Sequence, residues 1–516
     1  MVEISFDNMQ LFGGKTYPTL PSVGDGIYSE DERASKTPSD LLCEFSAMVA
    51  GKQGETIFVA ATDPSSPALH AFVHKHVGTD IAWYQTSASD IARVMRKANL
   101  DHKQEIEQIL STGLIDETSV SRVVTYILQY AFKESASDVH FEPRKRDVRV
   151  RFRIDGVLRE MFVIPSEKYG AVVARIKILA HLRTDESRNP QDGRIEPDGY
   201  DNASLRVSIM PTMHGEKVVM RILDESNAIL DLAGLGFNED QMNIVKRNIE
   251  KPYGMIVASG PTGSGKTTTL YALLQQLDQV AMNIATLEDP IEYALPGVNQ
   301  TQVHPDRAFT FAKGLRTLLR QDPDVVLVGE LRDQETANMA AQASMTGHLV
   351  LTSMHTNDAP SAFPRFVEMG VEEFMVVTTV NLIIAQRLVR RLCKKCKTTG
   401  TLSDVVRGKI TERADMLASL KELSPSSVEH LGTEKFPQAK GCAACMHSGY
   451  AGRIGIFELL EMTPEIHDAV LSGASADKVR AIAQKSGFET MLTNGLRKVL
   501  AQETTFEEVI RTTRTN

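Results

Sequence analysis

Along residues 148–154 polar and apolar positions alternate without a break. Arg149, Arg151 and Arg153 fall on one side, and Val150, Phe152 and Ile154 on the other. That period of two predicts a half-buried strand. Residues 205–210 and 218–223 read as two more strands, with Asp155-Gly156 and Asp192-Gly193 as turn dipeptides. Residues 120–132 carry the helical period instead. Upstream, 56–61 suits a strand, 63–67 a turn and 68–77 a helix. Downstream, short apolar runs at 255–258, 284–287, 325–328 and 349–354 are separated by helix-compatible stretches, a pattern that implies a parallel α/β sheet. The longest apolar stretch, 374–389, contains Asn381, Gln386 and Arg387. It falls short of a clean membrane span and reads as a buried helix.

A chain of 516 residues requires about three or four domains. The pattern divides it into an irregular Gly-, Pro-, Ser- and Thr-rich arm (1–42), a small α/β unit (43–105), a linker (106–117), an α/β domain (118–235), a larger α/β domain (236–390), a cysteine-bearing segment (391–450) and a helical tail (451–516). A hydrophobic share of 42% supports several cores and argues against wholesale disorder. The net charge of -9 and aromatic content of 6% disfavour a general nucleic-acid coat. Five cysteines are too sparse, and odd in number, for a disulfide-stapled secreted protein. No basic, apolar leader opens the chain, so a cytosolic protein is expected.

Gly260-Pro261-Thr262-Gly263-Ser264-Gly265-Lys266-Thr267, followed by Thr268, fits a phosphate-binding loop. Its glycines let backbone N–H groups wrap a phosphate, Lys266 reaches the β- and γ-phosphates, and the Thr267 hydroxyl takes Mg²⁺. A predicted strand precedes it and a predicted helix follows, so the phosphate falls at a helix N-terminus. Three other predicted strands run out at polar residues, at the same end of the sheet: Glu288, Glu330 and His355. Ligands of open α/β sheets bind at that end. A single carboxylate there is usually a cap or turn residue; three sites beside a phosphate loop favour chemistry. His348, before its strand, reads equally as structural. Arg206 and Arg221 interrupt apolar strands, so each needs an anion: a phosphate from a neighbouring domain or subunit, or a buried Asp or Glu. Cys393-x-x-Cys396 and Cys442-x-x-Cys445 have the form of two knuckles that complete a Cys₄ zinc site, against redox dithiols or core cysteines as alternatives. Cys43 is left over as a small buried hydrophobe.

Together with Ala136–Pro143, Arg151–Gly156, Leu287–Glu292, Val328–Asp333, Thr346–Leu351, His355–Asp358 and Gly449–Arg453, these motifs resemble the secretion ATPases of type II secretion and type IV pilus assembly. The resemblance runs from about residue 118 to 516. It implies a RecA-like P-loop core behind a PAS-like α/β domain, with an N-terminal docking region, assembled as a homo-hexamer. It implies ATP, Mg²⁺ and Zn²⁺ as cofactors. Glu330 takes the Walker B role with Thr267 at Mg²⁺. Glu288, with Glu292 as its neighbouring alternative, orients the attacking water, and His355 senses the γ-phosphate. Arg206 and Arg221, and more weakly Arg194, reach the nucleotide from the preceding domain. The implied partners are an inner-membrane platform protein and a docking protein, which hold a cytoplasmic ATPase at the membrane. The tetracysteine segment points to the assembly or secretion branch rather than to retraction. A RecA- or helicase-type nucleic-acid motor lacks support from charge and aromatics. A GTPase lacks an N-K-x-D motif, a small-molecule kinase is a further enzyme alternative, and a bare nucleotide-binding scaffold would lack Lys266, Glu288 or Glu330.

Overall fold

The structure is a computed structural model that describes residues 9–12, 15–18, 47–53, 56–76, 80–85, 106–110, 117–197, 203–224, 231–304 and 307–513. Cys43, most of the arm and half of the linker lie outside the described residues. The chain forms two units, Met1–Ser226 and Asn227–Asn516.

In the first unit, β1 (Met9–Phe12) and β2 (Lys15–Pro18) pair as a hairpin. β3 (Ala47–Gln53), β4 (Thr56–Ala61) and β5 (Ile81–Gln85) form a small sheet, with the helix Pro67–His76 between the last two. Leu69 and Val73 of that helix join Ala47, Val59 and Ala61 in its core. A larger antiparallel sheet follows, built from β6 (Asp138–Pro143), β7 (Asp147–Ile154), β8 (Val157–Pro165), β9 (Gln191–Ile195), β10 (Ala203–Thr212) and β11 (Gly215–Asp224). Its order is β8-β7-β6-β11-β10-β9. Val148, Val150, Phe152 and Ile154 are buried, as their alternation predicts. Tyr130 of the helix Glu117–Lys133 packs its ring against Phe152 and Phe162, and Tyr169 of the helix Ser166–Leu179 stacks on Phe141. The helices thus cover one face, and the arginines occupy the other.

The second unit is built on a seven-stranded sheet: β12 (Gly254–Ser259), β13 (Ile284–Glu288), β14 (Asn299–Gln302), β15 (Val325–Val328), β16 (Leu349–Met354), β17 (Val380–Leu392) and β20 (Tyr450–Glu461). The order is β14-β13-β15-β16-β12-β17-β20, parallel up to β17 and antiparallel at β20. Successive side chains of the central strands enter two different cores. Met255, Val257, Val326, Val328 and Val350 join one, whereas Ile256, Ala258, Val325, Leu327 and Leu351 join the other. A strand covered by helices on both faces is apolar throughout, which is why these runs show no alternation.

The same physics corrects the expected helix over 374–389. The chain is helical only at Glu373–Thr379, and from Val380 it is a long strand beside β12. Periodicity cannot separate a fully buried strand from a buried helix, and the β-branched Val380, Ile383 and Ile384 favour the pleated sheet. Among the described residues, no helix is long and apolar enough to cross a membrane. Between β17 and β20 the chain makes the helices Asp404–Thr411, Ala414–Leu423 and Pro425–Glu429 and the hairpin β18 (Lys397–Gly400) and β19 (Phe436–Ala439). The last two helices, Met491–Leu500 and Phe506–Thr512, share a core with this segment through Leu496, Val499, Phe506 and Val509.

Candidate active site and metal centre

The loop after β12 is shaped by three glycines in the left-handed region: Gly260 (φ 148), Gly263 (φ 77) and Gly265 (φ 90). Gly265 is the N-cap of the helix Lys266–Gln275, so the first helical residues present backbone N–H groups in series, while the Ser264 N–H closes the loop on the Pro261 carbonyl at 3.2 Å. At Gly260 a side chain is also excluded by space, since a Cβ would lie 2.6 Å from both the Gln386 carbonyl oxygen and Ser264 Oγ. Pro261, Thr262 and Gly263 are exposed, Ser264 is buried, and Lys266, Thr267 and Thr268 are half-buried at the helix start. Lys266 Nζ donates to the Gly260 carbonyl at 2.8 Å. Burial lowers its pKa, and the nearby Glu330 carboxylate partly opposes that shift.

Glu330 leaves β15 through Gly329, whose N–H donates to the Leu287 carbonyl at 2.8 Å; the next N–H, of Leu331, donates to Ser353 at 3.0 Å. The segment is therefore stitched to both neighbouring strands. Asp333 then caps the helix Gln334–Met345 through the Thr336 N–H. Glu330 pairs with Arg332 and faces His355 Nε2 at 3.6 Å, and Arg332 also reaches Asp289 Oδ2 at 3.5 Å. The strand ends thus bring Lys266, Glu330, Arg332, Asp289 and His355 to one edge of the sheet. Arg332 and Asp289 lie within Val328–Asp333 and Leu287–Glu292, with no pattern of their own that marks them as partners. The signal was an ion pair between loops, which spacing alone does not reveal.

Glu288 ends β13 as expected, but its carboxylate is enclosed. It is 2% exposed, and its carboxylate accepts from Tyr271 at Oε2, and from Thr286 (2.6 Å) and Gln300 (3.2 Å) at Oε1. A carboxylate satisfied on both oxygens by buried donors is placed to hold structure rather than water. Burial, then the Glu288 charge, pushes the Tyr271 hydroxyl far above its usual range, so it remains a donor. His348 Nδ1 lies 3.0 Å from the Ala343 carbonyl and 3.3 Å from Thr346 Oγ1, a helix-end contact away from this cluster.

In the first unit the register aligns Arg153, Asp138, Arg221, Arg206 and Arg194 in one row across five strands. Arg221 finds the second of the two anions expected for it, the buried Asp138. Arg206 and Arg221 are both exposed, because the strands are covered on one face only and their apolar residues face the helices. Arg221 Nε donates to Asp138 Oδ1 at 3.1 Å, and Arg153 Nε to the other oxygen at 3.2 Å.

Cys393 ends the β17 side and Cys445 precedes β20, so the antiparallel pair brings the two knuckles together. The four Sγ atoms lie within 4.8 Å of one another, with Cys396–Cys445 at 3.7 Å and Cys442–Cys445 at 3.8 Å. A Zn–S bond of about 2.3 Å implies tetrahedron edges of roughly 3.8 Å. Although burial opposes it, the N–H groups of Cys442 and Gly449, each 3.2 Å from Cys445 Sγ, hold that thiol down at about 6. The donor set fits zinc.

A glycine loop feeding a helix N-terminus, with Lys266 beside a strand-end carboxylate, defines a P-loop ATPase. The family model for type II/IV secretion system proteins matches residues 114–511, and the chain belongs to that family. The type IV pilus assembly ATPase PilB of Myxococcus xanthus is 44% identical over 414 residues, which is 80% of this chain and 71% of that protein. The type II secretion system protein E of Xanthomonas campestris is 41% identical over 433 residues, covering 84% and 74%. In fold, the chain resembles the pilus retraction motor PilT solved with bound ADP, with a TM-score of 0.51 and 22% identity over 76% of this chain and 97% of that one.

Proposed function

We propose that this chain is a motor ATPase that works in type IV pilus assembly or type II secretion. The observation that carries the reading is the meeting of Lys266, Glu330 and His355 at the carboxyl edge of the parallel sheet. Residues 260–268 take the phosphates, and Lys266 leaves the Gly260 carbonyl for the β- and γ-phosphate oxygens. Thr267 and Glu330 hold Mg²⁺, which offsets phosphate charge when bound. His355, 53% exposed and 3.6 Å from Glu330, reports the γ-phosphate to that carboxylate. With Glu288 committed to Tyr271, Thr286 and Gln300, the water-orienting role passes to Glu292, four residues on in the same loop. Arg206 and Arg221, with Arg194 beside them, supply positive charge to the transferring phosphoryl group from a separate domain, so closure and catalysis are coupled. Zinc on Cys393, Cys396, Cys442 and Cys445 cross-links β17 to β20.

In this reading residues 236–390 are a RecA-like motor domain and 118–235 a PAS-like domain. Residues 43–105 are a docking domain reached through a linker, 391–450 a zinc insert and 451–516 a helical domain. Six copies form a ring that transmits domain motion to an inner-membrane platform protein. The cysteine quartet favours assembly or secretion over retraction. Lys266→Ala in the full-length protein tests the core of the proposal. ATP hydrolysis should fall at least 100-fold with the fold intact; near-normal turnover sinks the assignment.

A further inference from the structure

The polar residues that break the apolar run 374–389 are unexplained by the reaction as described, yet two of them grip the two ends of β12. At the start, Asn381 Nδ2 donates to the Tyr253 carbonyl at 2.9 Å and packs against Gly254. At the other end, β17 keeps register with β12 up to Ala385 beside Ser259, so Gln386 stands level with Gly260, where the phosphate loop departs. Gln386 is 1% exposed. Its Nε2 donates to the Ser264 carbonyl at 2.8 Å, its own carbonyl lies against Gly260, and Nε2 would lie 3.3 Å from a Cβ at Gly265. The side chain therefore reaches Ser264 and Gly265, and the backbone of the same residue meets Gly260. Gln386 Oε1 is buried without a hydrogen-bond partner among the described residues. Leaving a buried acceptor unmade is costly, and an apolar side chain of equal length would avoid it. The amide's single bond is the one to the loop, and the Ser264 acceptor fixes which end of the amide faces it.

We infer that Gln386 is a positioning residue for nucleotide binding: its amide turns the Ser264 carbonyl inward, so that the N–H groups of the loop face the phosphates. A peptide unit points its N–H opposite to its C=O, so anchoring one orients the other. The inference rests on the reading of residues 260–267 as the phosphate loop.

The test measures Mg·ADP binding by calorimetry on the full-length protein. Gln386→Met, which keeps length and loses the donor, should weaken Mg·ADP binding about tenfold or more. Asn381→Ala, at the far end of β12, should lower the melting temperature by at least as much and leave binding within twofold. Gln386→Glu regains a donor only when protonated, so its binding relative to wild type should be tighter at pH 6 than at pH 8. Binding by Gln386→Met within twofold of wild type overturns the inference, as does an equal loss in Asn381→Ala. If Lys266→Ala abolishes binding while Gln386→Met does not, the ATPase reading stands and the inference falls. If Lys266→Ala also binds normally, the phosphate-loop reading fails first.

Discussion

Glu288 and Glu330 leave adjacent parallel strands at nearly the same level, yet their surroundings differ. Glu330 pairs with Arg332 and lies beside His355 and Lys266. Glu288 is enclosed by three donors. Glu330→Gln should therefore cut hydrolysis at least 100-fold while the melting temperature stays close to wild type, read by coupled ATPase assay and thermal unfolding. Glu292→Gln should show the same pattern. Glu288→Gln should chiefly lower stability, and Tyr271→Phe, which removes one donor from a buried carboxylate, should cost about 1–3 kcal/mol in denaturant unfolding. A larger catalytic loss from Glu288→Gln than from Glu292→Gln reverses the assignment.

β17 joins more of the molecule than any other element. It carries Asn381 and Gln386 against β12, Arg390 against the last helix, and Cys393 into the metal centre. Arg390 lies over the Tyr450 ring at 4.1 Å and donates to Glu508 at 2.7 Å. Burial alone would raise the Glu508 carboxyl, but the bonds from Arg511 and Arg390 overcome it and hold the group at about 2. A depressed acid stabilises the fold above its unfolded pKa of about 4.3, and that contribution disappears as pH falls toward the folded value. Glu508→Gln should thus lower the melting temperature at pH 7, with the gap to wild type closing between about pH 4.5 and 2. At the end of the same strand, the purified chain should carry about one zinc per molecule. Chelation should lower the melting temperature by loosening the β17–β20 end; a stable, metal-free protein would refute the quartet.

At the scale of the whole chain, the arginine row and the phosphate loop belong to different compact units. If hydrolysis needs both, Arg221→Ala should reduce kcat at least tenfold and change Mg·ADP affinity little. Equal losses in both would point to folding, through the pair with Asp138. The net charge of -9 fits a motor whose partner is protein, and DNA should not stimulate its hydrolysis.

Some of this was already determined by residue order. The glycines at 260, 263 and 265, the two C-x-x-C pairs and the alternation at 148–154 are local, because turn geometry, chelation and strand faces depend on neighbours in the chain. Other features arise only when distant segments meet. The expected helix at 374–389 became a strand because two helical layers bury both its faces. Arg206 and Arg221 became exposed because only one face of their sheet is covered. Glu288 ends its strand where expected, but is enclosed there by Tyr271, 17 residues earlier, and by Gln300 on β14. Gln386 acquired its contact with the phosphate loop through a strand pairing more than 120 residues long in sequence. Burial and pairing are properties of what packs against a residue, and that is decided only when the chain is folded.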